Sequence, residues 1–102
     1  MIETRRKPPN RRPSITHKLQ SAHGKTYVTI GYSLETMQPC EVFISGPKAG
    51  SDLQSLLDDA GVLLSLALQY DVPYKQLLHS LHSGREEGAA SLLGKVVELL
   101  KE

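Results

Sequence analysis

A chain of 102 residues is long enough for one modest hydrophobic core and too short for two. Its 39% hydrophobic and 23% charged residues match a soluble globular domain and exclude a disordered chain. The net charge of +1 hides an asymmetry, since residues 1–25 carry seven Lys or Arg against one Glu, while residues 26–102 carry five basic and ten acidic residues.

The longest nearly apolar run, residues 61–68, falls far short of the roughly 20 residues that span a bilayer. No membrane partner is expected. The basic N-terminus has no apolar stretch behind it and does not read as a secretory signal. Cys40 is the single cysteine, which excludes an internal disulfide and suits a reducing, cytoplasmic setting.

In chain order, residues 1–13 read as a basic flexible arm. Pro8, Pro9 and Pro13 block regular helix, and "TRRKPPNRRP" has few apolar groups to bury. Three strand-like segments follow. "SITHKL" puts Ile15, His17 and Leu19 on one face, and "KTYVTIGY" puts Val28, Ile30 and Tyr32 opposite Tyr27 and Thr29. "CEVFIS" puts Cys40, Val42 and Ile44 opposite Glu41 and Phe43. "SAHG" is expected to turn the first hairpin with Gly24 at positive φ, and "SLETMQP" to form a longer second connection. Short connections favour neighbouring strands, hence an antiparallel meander.

The second half is helical. Ser51 and Gln54 have the spacing of a capping box, and Asp52 complements the helix dipole. Leu53, Leu56, Leu57, Ala60, Leu63, Leu64, Ala67 and Leu68 follow the helical period and are expected to form its buried stripe. Val62 and Leu66 lie off that stripe and need another cover: the last helix, a protein partner, or a second copy in a homodimer. A short helix restarts at Pro73 with Leu77, Leu78 and Leu81 inward. After "SGREEG", a final helix carries Leu92, Leu93, Val96, Val97 and Leu100. The expected fold is α+β, a three-stranded antiparallel sheet followed by three helices packed on one face, with residues 14–102 as a single domain.

Candidate sites are few. The "GPKAGS" loop joins a strand to a helix N-terminus, where Lys48, Gly50 and Ser51 offer a place for an anion. Its spacing is not a Walker loop, and the same glycines and serine serve equally as a tight turn and a cap. Arg5, Arg6, Lys7, Arg11 and Arg12 fall within eight positions, enough for salt-dependent binding of nucleic acid or for docking on an acidic protein. The arm has no aromatic residue for base stacking. His79 and His82 lack the Cys or carboxylate partners of a metal site, and no cofactor is expected. Cys40 reads as a small buried hydrophobe. Ser65 reads as a hydroxyl bonded back to a carbonyl of its own helix. Adjacent Asp58 and Asp59 diverge by about 100° on a helix. No acid–base pair, metal set or activated nucleophile is visible, so catalysis by this chain alone is not expected.

From "NRRPSITHKL" to "LHSL", about 70 residues, the sequence resembles the C-terminal accessory region of class II, adenosylcobalamin-dependent ribonucleotide reductases, often called the TSCPD domain. The resemblance is carried in order by "PPNRR" with "ITHK", by "HGKTYVTIGY", by "CEVFI" with "KAGSDLQSLL", and by "LLSLALQYDVPYKQLL". The Thr-Ser-Cys-Pro-Asp motif itself is absent, its nearest place being "ASLLG" in the last helix. The resemblance implies a free-standing TSCPD-like accessory module that docks on a ribonucleotide reductase chain or takes the place of its own accessory domain. Such a module would influence deoxyribonucleotide supply and so DNA synthesis. With Cys40 alone, it cannot assemble the radical-forming thiol and reducing cysteine pair that ribonucleotide reduction needs.

Overall fold

The computed structural model describes residues 4–21, 24–81 and 91–101. Strands β1 (Ser14–Ser21), β2 (Gly24–Tyr32) and β3 (Pro39–Ser45) form an antiparallel sheet in the order β1-β2-β3. Helices α1 (Asp52–Gln69), α2 (Tyr74–Ser80) and α3 (Leu92–Glu98) follow, and α3 tightens into a 3₁₀ turn over Leu99–Lys101. The fold is α+β, as expected.

Alternation along the strands decides which side of the sheet is buried. Val28, Ile30, Val42 and Ile44 point to the helices and pack with Leu57 and Leu64 of α1 and with Val96, Val97 and Leu100. Removing each such side chain from water contributes about 1.5–3 kcal/mol. Tyr27 and Phe43 alternate to the other side and stay exposed. The register places Ile15, His17 and Leu19 opposite Ile30, Val28 and Thr26, so all three lie on the core side. Ile15 nevertheless remains 53% exposed, because it sits at the end of an edge strand beyond the cover of the helices.

The connections follow local chemistry. Ser21 pairs with Gly24, whose φ of +114° is the positive value expected of it, while residues 22 and 23 lie outside the described residues. Between β2 and β3 the chain closes through Ser33 N–H to Gln38 C=O at 2.9 Å and Met37 N–H to Ser33 C=O at 2.7 Å. At the end of α1, Asp71 N–H bonds Leu68 C=O and Val72 N–H bonds Ala67 C=O, the double closure of a Schellman motif. Asp71 takes the left-handed position, φ +61°, that glycine more often fills. Pro73 then bars continuation and caps α2.

Three expectations for α1 need correction. Leu56 and Leu63, assigned to the buried stripe, are 65% and 69% exposed. The reason is that α1 lies along β3, the edge strand, rather than across the middle of the sheet. Its contact sector is thereby turned toward Gln54, Gly61, Ser65 and Gln69, and one leucine flank is left uncovered. The capping box is also half built: Ser51 Oγ accepts from Gln54 N–H at 3.1 Å, but the Gln54 side chain turns to the strand. Ser65, finally, bonds β3 and not its own helix.

Candidate functional site

A sheet edge leaves a row of backbone N–H and C=O groups without partners. On β3 that row is met by polar side chains from one stripe of α1. Gln54 accepts from Gly46 N–H at 2.5 Å and donates to Ile44 C=O at 3.1 Å. Ser65 accepts from Val42 N–H at 2.8 Å and donates to Val42 C=O at 3.2 Å. Gln69 Nε2 donates to Cys40 C=O at 2.9 Å. Gly61 supplies the closeness that these bonds require, since a Cβ there would stand 3.0 Å from Val42 C=O. The edge is thus closed to strand addition by helical side chains.

The basic arm is laid against the same two elements. Arg12 makes a forked pair with Glu41, NH2 to Oε1 at 2.8 Å and Nε to Oε2, and its NH1 also bonds Pro9 C=O. Hydrogen bonding to Glu41 raises the pKa of the Arg12 guanidinium above its ordinary value. Glu41 is buried beneath this contact, beside Gly31, which has no Cβ to displace it. Arg5 Nε bonds Gln69 Oε1 at 2.5 Å, and Arg6 N–H caps Gln69 C=O at 2.8 Å. Arg6 also pairs with Asp71 at 3.1 Å, an exposed contact of little energetic weight. Pro13 C=O accepts from Tyr32 N–H at 2.9 Å.

Among the resulting concavities are two beside α1. A groove of about 540 Å³ runs between β3 and α1, walled by Phe43, Val62, Ser65 and Leu66 and ended by Arg5. A cleft of about 730 Å³ lies between the arm, the β2–β3 connection and the end of α1, with Cys40 in its wall. Burial raises the Cys40 thiol pKa, the Glu41 charge adds to the rise, and Arg12 partly offsets it. A buried thiol of this kind is a poor nucleophile.

Of the partner-surface residues expected on α1, Val62 is exposed and Leu66 half-buried, and both line the groove. Lys48 and Gly50 are exposed at the start of α1, Gly50 with φ +76°. Ser51 Oγ is already engaged, accepting from Gln54 N–H and donating to Lys48 C=O at 2.7 Å. The arm meets the far end of the 18-residue helix, about 27 Å away at 1.5 Å per residue. The loop and the arm are therefore not brought together around one phosphate. Lys7 and Arg11 are exposed.

His79 is exposed, while His23 and His82 lie outside the described residues. Among the described residues no three His, Cys, Asp or Glu side chains gather at metal-binding distance, and no helix is long and apolar enough to cross a membrane. Among the described residues, the buried atoms His17 Nε2 and Thr26 Oγ1 have no hydrogen-bond partner.

The edge cover by Gln54, Ser65 and Gln69 escaped the sequence reading, although these residues recur on one helical face at spacings of eleven and four. The spacing was visible, but the identity of the facing strand was not.

The TSCPD domain family matches residues 3–102, taking in both the arm and the last helix. A vitamin B12-dependent ribonucleotide reductase of Rhodopirellula baltica is 31% identical over 93 residues, covering 91% of this chain and 9% of that protein. A vitamin B12-dependent ribonucleotide reductase of Bradyrhizobium diazoefficiens is 30% identical over 94 residues, covering 92% of this chain and 7% of that protein. The chain thus spans less than a tenth of the length of these relatives. No solved structure matches it significantly. Matched by that family over residues 3–102, nearly its whole length, this chain is a member of the TSCPD domain family.

Proposed function

We propose that this chain is an accessory interaction domain of ribonucleotide reduction, acting with or on a vitamin B12-dependent reductase and carrying no catalytic residues of its own. The observation that carries this reading is the match of nearly the whole chain to less than a tenth of two such reductases. Cys40 is the one thiol, and burial holds it protonated. A thiol-based reduction needs more than that.

Docking is supported by the uncovered apolar side of α1. Leu56, Val62 and Leu63 expose more than half their surface around the helix, and Leu66 and Phe43 continue it into the groove. Exposed side chains of this size on one element mark an interaction surface. In this reading the chain binds a reductase where that enzyme's own TSCPD region would sit, in the cytoplasm, and so adjusts deoxyribonucleotide supply.

Phosphate binding by the arm and the "GPKAGS" turn is the weaker reading. Arg5, Arg6 and Arg12 are engaged with acceptors of the chain itself, which favours the arm as part of the domain.

The test is a tagged capture from the native cells at moderate salt, with bound proteins identified by mass spectrometry. Recovery of a reductase chain, lost in a Val62→Glu, Leu63→Glu variant, supports docking. Recovery of self-copies alone points to a homodimer and counts against it.

A further inference from the structure

The side of the sheet turned away from the helices carries two open aromatic rings among cations. Lys18 of β1, Lys25 and Tyr27 of β2, and Phe43 of β3 alternate with the core residues and therefore share this side. Tyr27 is paired with Lys18 on one side and Ser45 on the other, while Phe43 is paired with Thr29. The two rings are thus diagonal neighbours on adjacent strands, about 7–8 Å apart along the sheet. They are 44% and 58% exposed.

The net charge on this side is positive. Glu41 is the only carboxylate in the three strands, and Arg12 neutralises it. Lys18 and Lys25 are exposed, and Arg11 joins Phe43 and Thr29 around a shallow hollow of about 360 Å³. The other acidic residues among the described ones, Glu35, Asp52, Asp58, Asp59, Asp71 and Glu98, lie on the helices and the connections. The sequence supplied cations in the arm but no rings there, and the fold brings rings and cations to one surface.

We propose that this open sheet face binds single-stranded DNA, with bases stacking on Tyr27 and Phe43 and phosphates meeting Lys18, Lys25 and Arg11. Ring faces standing on a sheet accept unstacked bases of any sequence, whereas a duplex keeps its bases stacked inside. The Thr16 and Thr29 hydroxyls bond each other at 2.8 Å, which commits one hydroxyl hydrogen within this face. This face shares Phe43 with the groove beside α1, whereas Tyr27, Lys18 and Lys25 lie outside that groove, and this inference does not depend on reductase binding.

Fluorescence anisotropy of the full chain with labelled oligo(dT) of about 12 nucleotides tests it directly. The expected result is saturable binding whose logarithm falls with log salt at a slope of about −2, as three phosphate contacts on a single strand require. Phe43→Ala and Tyr27→Ala each weaken binding about tenfold, and Lys18→Glu with Lys25→Glu flattens the salt slope. All four side chains are exposed, so the variants keep the wild-type urea midpoint. Absence of binding at about 50 mM salt, tighter binding of a duplex or of an RNA of the same length, or affinity unchanged in both aromatic variants would each overturn the proposal.

Discussion

Ser65 holds both backbone groups of Val42, accepting from its N–H at 2.8 Å and donating to its C=O at 3.2 Å. One hydroxyl thereby takes the place of a missing neighbouring strand. Ser65→Ala leaves the donor and the acceptor unpaired under a half-buried helix, a loss of about 1–3 kcal/mol. Urea unfolding measures it. A variant as stable as the wild type would show that the edge is satisfied by water instead.

Gly61 sits one turn before Ser65, where a methyl group would stand 3.0 Å from the Val42 carbonyl oxygen. Gly61→Ala ordinarily strengthens a helix by about 1 kcal/mol. Here the neighbour is backbone, fixed between β2 and α1, and an overpacking cost of about 1–3 kcal/mol exceeds the propensity gain. The expected outcome is a lowered urea midpoint together with weakened protection of the Val42 amide in hydrogen exchange. A stabilised Gly61→Ala protein would contradict the close approach of helix and strand.

Arg12 and Glu41 are 29 residues apart and form, among the described residues, the one charged pair in which the carboxylate is buried. Arg12→Ala strands that carboxylate, so it destabilises more than Glu41→Gln does. The double variant Arg12→Ala, Glu41→Gln recovers part of the loss, because no charge is left uncompensated. Denaturation of the three variants closes the cycle. Simple additivity would mean that the arm does not clamp the sheet.

Cys40 gives a pH dependence of definite sign. Its thiol pKa is raised in the folded chain, chiefly by burial. At neutral pH both states keep the proton and the thiol contributes no slope. As pH rises through about 8.5 the unfolded chain loses its thiol proton first, so stability falls until the folded thiol also ionises. Urea midpoints measured from neutral to alkaline pH show this slope in the wild type and a flatter one in Cys40→Ala. Thiol reagents modify the native chain slowly and the urea-unfolded chain fast. Equal slopes for both proteins would remove burial as the cause.

Much of the fold was legible because it is encoded locally. The alternation of Val28 and Ile30 with Tyr27 and Thr29, the Ser51 cap and the Pro73 break each act within a few residues. What escaped depends on which elements meet. Leu56 and Leu63 fit the helical period as well as Leu57 and Leu64 do, and only the lie of α1 along an edge strand separates the exposed pair from the buried one. The same holds for the arm. Its Arg and Pro content reads as a solvated tail, whereas the acceptors that fix it, Glu41 and Gln69, are 29 and 64 residues away from their arginine partners. The groove residues Val62 and Leu66 were visible as a break in the stripe, but Phe43 on the opposite wall belongs to another element.

The central claim is that this chain docks on a ribonucleotide reductase through α1. Isothermal titration of the purified chain into a vitamin B12-dependent reductase, intact and with its own TSCPD region removed, tests that claim most directly. The account predicts saturable binding to the shortened enzyme, weaker binding to the intact one, and loss of both in Val62→Glu, Leu63→Glu. Heat-silent mixtures with no co-sedimentation of chain and either enzyme would contradict it.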